Sequence, residues 1–456
     1  MLNLEFSLTI IVFAITVLFI LWRPFGINES LPTILGAAIL FLAGIVPLLD
    51  IWGILGMISG ATITILSTIV MSIVLESIGF FRWAAFNLAR KAKGSGIRLY
   101  WYINLLCFLM TMFFNNDGSI LITTPIILQT LNILKVKPHQ KISYLLSGAL
   151  IATASSAPIG VSNLANLIAL NIVGLDLNTY VALMFIPSML GIIAITFLFY
   201  LYFKESVPKK IPQISPELLG HMVTNDPAQK PYHPLSKVSS EANFIDWKLF
   251  KISMVIVVLT RISFFVLAPF HIPTEIPSII GALLLISLRW AHKGIGPKDI
   301  LKKTPWHIIF FAFGMYVIIY GLHNTGFTSM TVEKLGSSVS ENRFNAIFIM
   351  GLLLSVMSNL FNNLPSVMIG TISLTEMGLD PQTLQVAYLA NVIGADIGSL
   401  LLPMGTLASL IWMFILKQNK IPLSWGQYLK ATILVIPAGL LISLFSLYVW
   451  TQWLLG

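Results

Sequence analysis

The chain has 456 residues, 57% of them hydrophobic and only 10% charged, with a mean hydropathy of +0.88. A soluble domain carries roughly 25% charged residues, so a water-facing surface is excluded and the chain reads as an integral membrane protein. Its formal charge of +9 therefore bears on topology rather than on nucleic acid, and the single cysteine, Cys107, excludes an internal disulfide framework and a multi-thiolate metal site.

A spanning helix needs about 20 mostly apolar residues. Residues 6–22 follow Glu5 with no basic stretch before them and no small-residue cleavage site after them, so a retained first span is expected rather than a signal peptide. Uninterrupted spans are predicted at 31–49, 60–80, 179–203, 249–268, 276–290, 305–325 and 431–453. Four further apolar stretches are interrupted: 99–134 at N-N-D-G (115–118), 141–173 around Ser155–Asn163, 343–374 at N-N-L-P (362–365), and 383–416 around Gly398–Gly405. The first and third are predicted to be re-entrant hairpins, because their tips carry amides and one acid but no Lys, Arg, Trp or Tyr to anchor at an interface. The other two are predicted to be broken spans. The expected fold class is thus all-α integral membrane, with ten spans, two hairpins and broken helices at the midplane. With the N-terminus outside, 24 of the 27 basic residues fall on the inner side; Lys334 and Arg343 lie outside and Arg261 lies within a span. That asymmetry predicts a multi-pass plasma-membrane protein with both termini outside. Residues 204–248, with six prolines, serines and lysines, read as a cytoplasmic linker of little order.

The two flanking segments, 1–203 and 249–456, repeat each other. L-P-T-I-L-G-A-A (31–38) matches I-P-S-I-I-G-A-L (276–283), and L-E-S-I-G-F-F (75–81) matches L-H-N-T-G-F-T (322–328). Asn115-Asn116 matches Asn362-Asn363, and Pro158-Ile159-Gly160 matches Pro403-Met404-Gly405, all at offsets of 245 to 247. Five spans and one hairpin per repeat put the second repeat upside down relative to the first. Inverted repeats with interrupted helices are the architecture of secondary transporters, with the substrate held where the breaks converge. Broken helices survive at membrane depth only where they line a cavity or lie buried in protein. Their free N–H groups suit oxygen-rich or anionic ligands, and Asn163, Asn363 and Thr406 stand where an N-cap could stand.

Most acids fall in predicted loops. Glu76, Asp117 and Asp396 do not, and Arg261 is the lone embedded base. An ionisable group inside a membrane is costly, about 2.5–3.5 kcal/mol at a helix centre on insertion scales, and usually lines a pathway or is paired. Asp117 and Asp396, beside breaks, are expected to couple transport or touch substrate; Glu76 and Arg261 fit an embedded ion pair as readily as transport chemistry. The sequence has no P-loop and no H-E-x-x-H, its seven histidines show no metal spacing, and no cofactor or catalytic constellation is expected. A channel and an intramembrane enzyme are the alternatives from other classes.

Several segments resemble the arsenical pump membrane proteins, the arsenite/antimonite permeases of the ion transporter superfamily. They are F-F-N-N-D-G-S-I-L-I-T-T-P-I (113–126), V-S-N-L-A-N (161–166), N-N-L-P-S-V-M-I-G (362–370), A-N-V-I-G-A-D-I-G (390–398) and P-M-G-T-L-A-S-L-I-W (403–412), with E-S-I-G-F-F (76–81) and W-G-Q-Y (425–428) beside them. The resemblance runs over essentially the whole chain. It implies efflux of trivalent arsenic and antimony driven by the proton gradient, a scaffold domain beside a mobile domain, and in some systems a soluble ATPase partner. Carried over by position, it implies substrate contacts from Asn115, Asn116, Ser162, Asn163, Asn166, Asn362, Asn363, Asn391 and Thr406, with Asp117 and Asp396 in the same motifs; Asp117, Asp396 and Glu76 are the expected proton-coupling residues on their embedded charge. Pro365 and Gly405 fall in the same motifs. This sequence departs from the pattern at Thr153, where relatives often carry an acid, at Ala395, where they carry cysteine, and at Leu401, where they carry lysine. A cation/proton antiporter or organic-anion carrier of the same superfamily is the alternative within transport. Soft As(III) prefers thiolates, yet Cys107 alone cannot supply three, so neutral As(OH)3 held through its hydroxyls is the expected substrate form.

Overall fold

The computed structural model describes residues 4–213 and 246–455. The described chain folds as helices in two sets that follow the same order. In the first, α1 (Leu4–Trp22), α2 (Ser30–Leu42), α3 (Leu48–Ser77) and α4 (Phe80–Lys91) lead into α5 (Gly96–Phe113) and α6 (Asn116–Ile133), then α7 (Pro138–Ala154), α8 (Leu164–Val173) and α9 (Leu177–Phe203). The second set runs α10 (Trp247–Leu267), α11 (Glu275–Lys293), α12 (Lys298–Lys303), α13 (His307–Asn324), α14 (Phe327–Glu341), then α15 (Arg343–Phe361) and α16 (Asn363–Glu376). It ends with α17 (Pro381–Asp396), α18 (Leu407–Gln418) and α19 (Trp425–Leu455).

All four predicted interruptions are present. α5 and α6 are joined through Phe114–Asn115, and α15 and α16 through Asn362. α7 and α8 are separated by an irregular stretch with a 3-10 turn at Gly160–Ser162, and α17 and α18 by turns at Gly398–Leu401 and Pro403–Gly405. Both broken helices start with proline in the first turn, Pro138 and Pro381, where its missing N–H costs nothing.

Among the described residues, nine helices are long and apolar enough to cross a membrane. The nine differ from the ten predicted spans for a physical reason. α2 stops after 13 residues, because Gly44 turns the chain at φ +73° and Pro47 starts α3 early. α11 carries Glu275, Arg289 and Lys293. Limbs of the interrupted stretches, α5, α15 and α17, count among the nine instead.

Two helices were not anticipated. α4 and α14 are amphipathic, and each starts at a glycine in the left-handed region, Gly79 at φ +86° and Gly326 at φ +92°. These glycines lie 247 residues apart, so the same turn is built twice; any residue with a Cβ is strained there.

The repeats meet where α9 packs against α19. A Cβ on Gly191 would lie 1.7 Å from the Ser443 hydroxyl and 3.1 Å from the Gly439 carbonyl, and one on Gly439 would lie 2.2 Å from Ile195. Small residues at such a crossing let two apolar helices approach closely, which is how helices associate in lipid. Matching pairs form between the two sets as well, α2 with α13 and α3 with α11. The start of the predicted linker docks on the turn before α5 through Ile211 N–H to Gly94 O (2.9 Å); residues 214–245 of it lie outside the described residues.

Candidate functional site

The site grows from the ends of broken helices. In α8 the Asn163 side chain caps the helix by accepting the Ala165 N–H (3.1 Å); in α18 Thr406 does the same for Ser409 (3.0 Å). Asn115 caps α6 by accepting the Gly118 N–H (2.6 Å) and donates to the Thr68 hydroxyl (3.2 Å). Each cap satisfies a donor that the end of a helix leaves free.

Asp396, at the end of α17, is completely buried. Its carboxylate accepts three side-chain hydrogen bonds, all from the break of the opposite repeat: Ser156 Oγ (2.7 Å), Asn163 Nδ2 (2.8 Å) and Asn166 Nδ2 (2.6 Å). Two tyrosines brace that break from outside, Tyr388 donating to the Asn166 carbonyl (2.9 Å) and Tyr180 to the Ala157 carbonyl (2.6 Å). Ser156 Oγ also lies 2.7 Å from the Thr153 carbonyl. Its single proton can therefore go to the Asp396 carboxylate, or to Thr153 while the hydroxyl accepts from a protonated Asp396. The site can hold either charge state of Asp396 without leaving Ser156 unsatisfied.

The second tip is fastened to the second break. Asn359 donates to the Gly398 carbonyl (2.8 Å) and accepts the Leu402 N–H (2.8 Å), and Asn362, at φ +79°, donates to the Met404 carbonyl (3.3 Å). A cavity of about 30 Å³ lies between tips and breaks. Asn116 and Asp117 from the first tip, Asn163 and Leu164 from the first break, Asn362, Asn363 and Leu364 from the second tip, and Leu407 from the second break all line it. Ile308 and Phe311 of α13 close it. The space suits about two waters. A wider hollow of about 580 Å³ lies at the end of α18 beside Lys417, Lys420 and Trp425, away from the tips and breaks.

Of the residues singled out in the sequence, Asn116, Asp117, Asn163, Asn362 and Asn363 line the cavity, and Asn163 joins Asn166 and Asp396 in one network. Asn115 and Thr406 act as caps at its edge. Ser162 is fully buried beside Asn163. Three others stand elsewhere. Asn391 is completely buried on α17 with both amide atoms unpartnered among the described residues, and its Nδ2 packs toward Gly370 of α16. Glu76 is half-buried at the end of α3, outside the cavity lining. Arg261 on α10 reaches the first tip from behind, donating from Nε to the Phe113 carbonyl (2.5 Å) and from Nη2 to the Phe114 carbonyl; these are the free carbonyls at the end of α5. Ser156, Asn359, Tyr180 and Tyr388 were missed. A serine in S-S-A-P and tyrosines inside apolar helices carry no local mark of such a role.

The family of arsenical pump membrane proteins matches residues 8–451. A Bacillus subtilis (strain 168) protein provisionally named as such a pump is 51% identical over 445 residues, covering 97% of this chain and 99% of its own. An arsenical pump membrane protein of Escherichia coli is 29% identical over 437 residues, covering 96% and 97%. Among solved structures, the YdaH transporter of Alcanivorax borkumensis superposes with a TM-score of 0.52 at 13% identity over 88% of this chain and 87% of that one, a likeness of fold.

Proposed function

We propose a mechanism for a chain that belongs to the arsenical pump membrane protein family and is accordingly a multi-pass membrane transporter of arsenicals. In our reading it exports arsenite, and antimonite with it, in exchange for protons. The substrate is neutral As(OH)3, or its antimony counterpart, held through its hydroxyls by the amides of Asn116, Asn163, Asn362 and Asn363. Cys107 is buried and takes no part. Asp117 at the first tip and Asp396 at the first break's network take up protons as substrate leaves.

The observation that carries this reading is the contact of Asp396 with Ser156, Asn163 and Asn166. One carboxylate ties together the breaks of both repeats, and Ser156 can serve it protonated or ionised. A change in its charge is therefore felt by both halves at once. The cavity is too small for a substrate of several heavy atoms beside its walls, so substrate enters only when the tips move apart, consistent with a mobile unit of hairpins and broken helices against a scaffold. We assign the hairpins as re-entrant, 1–203 and 249–456 as the inverted repeats, and the face bearing Arg23 and Lys303 as cytoplasmic, with both termini outside.

The test is uptake of As(III) into everted vesicles with an imposed proton gradient, comparing wild type with Asp117→Asn and Asp396→Asn. Gradient-dependent uptake in wild type and its loss in both variants are expected. Absence of wild-type uptake would refute the substrate, and unchanged coupling in both variants would refute the proton assignment.

A further inference from the structure

The wall of the cavity formed by Ile308 and Phe311 leads back to the first residue of α13, His307. Its Nε2 lies 3.2 Å from Glu29 Oε1, and the other oxygen of Glu29 accepts from Arg23 Nη2 at 2.8 Å. Glu29 sits in the connection before α2 and is only 4% exposed, whereas the His307 and Arg23 side chains are 36% and 28% exposed. Asp117 lines the same cavity as Ile308, the residue that follows His307. Titratable groups thus form a graded series: Asp117 at the cavity, Glu29 buried behind it, and His307 opening to the membrane face that carries Arg23.

The inverted repeat supplies an internal control. The positions equivalent to Glu29, His307 and Asp117 in the other half, at offsets of 245 to 247, are Thr274, Gly60 and Leu364. There Thr64 Oγ1 lies 3.1 Å from Thr274 Oγ1, and the carboxylate of Glu275, the residue after Thr274, lies 3.0 Å from where a Cβ on Gly60 would stand. The helix packing and a carboxylate beside it are shared by both halves, and the imidazole and the cavity acid are present in one only. Packing alone therefore does not account for His307.

We propose that His307, oriented by Glu29, is the station through which protons pass between Asp117 and the aqueous face beside Arg23. This rests on the proton-exchange reading given above. In the release direction the O–H bond of protonated Asp117 breaks, its proton passes to water in the cavity, and water gives a proton to the His307 imidazole to form an N–H bond. The imidazolium then loses its proton to water at the exposed face, and uptake is the reverse. An imidazole suits this role because it gains and loses a proton near neutral pH. Glu29 stays a carboxylate throughout and offsets the imidazolium charge. Burial pushes the Glu29 carboxyl up, but the His307 hydrogen bond and the Arg23 guanidinium outweigh it and hold the group below the usual carboxylate range. The charged groups recorded around His307 are Glu29, Arg23 behind it and Asp117 across the cavity.

The test uses the full chain in liposomes and two modes of one transport event. Arsenite counterflow without a pH gradient moves substrate both ways and needs no proton release; gradient-driven uptake needs it. In His307→Gln and Glu29→Gln, counterflow is expected within about twofold of wild type while gradient-driven uptake falls about 100-fold or more, the lower end of what a positioned proton-transfer group contributes. Thr274→Val, at the equivalent position of the other half, is expected to leave both modes intact. Counterflow and driven uptake falling in parallel would assign His307 and Glu29 to structure and overturn the proposal, as would driven uptake unchanged in both variants. A wild type whose flux ignores the gradient would overturn the proton-exchange reading itself, and is distinguished because it needs no variant.

Discussion

Replacing Asp396 in two ways separates its hydrogen bonds from its charge. Leucine in its place leaves Ser156, Asn163 and Asn166 without the acceptor they share. Ser156 can turn to the Thr153 carbonyl, but the two amides are buried. Each donor left without a partner costs about 1–3 kcal/mol, so Asp396→Leu is expected to destabilise by about 3–9 kcal/mol if all three are counted, and least if Ser156 escapes. Asparagine behaves differently. With its Nδ2 in place of Oδ2, it donates to Ser156 Oγ once that hydroxyl has turned to Thr153. It also donates to the Asn166 amide once flipped, since Asn166 Oδ1 is unpartnered among the described residues. Its Oδ1 still accepts from Asn163, whose own oxygen is fixed by the α8 cap. A buried charge is removed as well, which offsets part of the lost charge-assisted bonding. The net cost expected for Asp396→Asn is about 1 kcal/mol or less. Thermal unfolding of purified protein in detergent, followed by loss of the monodisperse peak, reads the difference. The leucine variant should unfold several degrees below the asparagine variant. Equal midpoints would refute the three-donor network as a stabilising contact.

Gly191→Ala drives a methyl into the Ser443 hydroxyl and toward the Gly439 carbonyl. A cost of about 1–3 kcal/mol is expected from overpacking, read as a lower midpoint that Ser443→Gly partly restores. Cys107→Ser is expected to keep arsenite transport at wild-type membrane levels, because a lone buried thiol cannot form a thiolate site; abolished flux with normal expression would contradict hydroxyl recognition. Asp299 on α12 pairs with Arg289 at 2.6 Å. Burial raises its carboxyl, and the Arg289 hydrogen bond and charge outweigh that and hold it below the usual range. A lowered folded-state pKa means stabilisation present above the unfolded value of about 3.9 and lost as pH falls through the folded one. The wild-type midpoint should therefore drop more steeply below about pH 4 than that of Asp299→Asn, whereas superimposable profiles would contradict the ion pair's contribution.

The spans were readable because lipid demands long apolar runs, and the breaks because N-N-D-G, N-N-L-P and the Pro/Gly stretches interrupt those runs at matched positions. The sequence predicts no helix at α4 or α14 because F-F-R-W-A-A-F-N-L-A-R-K and its counterpart mix charges with apolar residues, although Gly79 and Gly326 mark their starts. The partners of Asp396 lie 230 to 240 residues away. The repeat placed the two breaks near each other, but which side chains meet depends on packing that no local pattern encodes. Asn391 shows the converse: it shares a motif with Asp396, yet helical spacing turns it toward α16 instead of the cavity. Arg261 fits an embedded ion pair or transport chemistry equally on sequence, and its bonds to the Phe113 and Phe114 carbonyls depend on where α5 ends, which no local pattern encodes. Glu29 looks like an ordinary charge in a connection and His307 stands at the edge of the predicted span 305–325; their proximity joins residues 278 positions apart, which no local pattern encodes.

The most direct measurement is the proton-gradient dependence of As(III) uptake in everted vesicles for wild type and Asp396→Asn. Wild-type uptake should rise with the imposed gradient, and Asp396→Asn, folded and present in the membrane, should lose that dependence. Gradient-driven uptake at wild-type rate in Asp396→Asn would contradict the carboxylate shared by the two breaks as the coupling group.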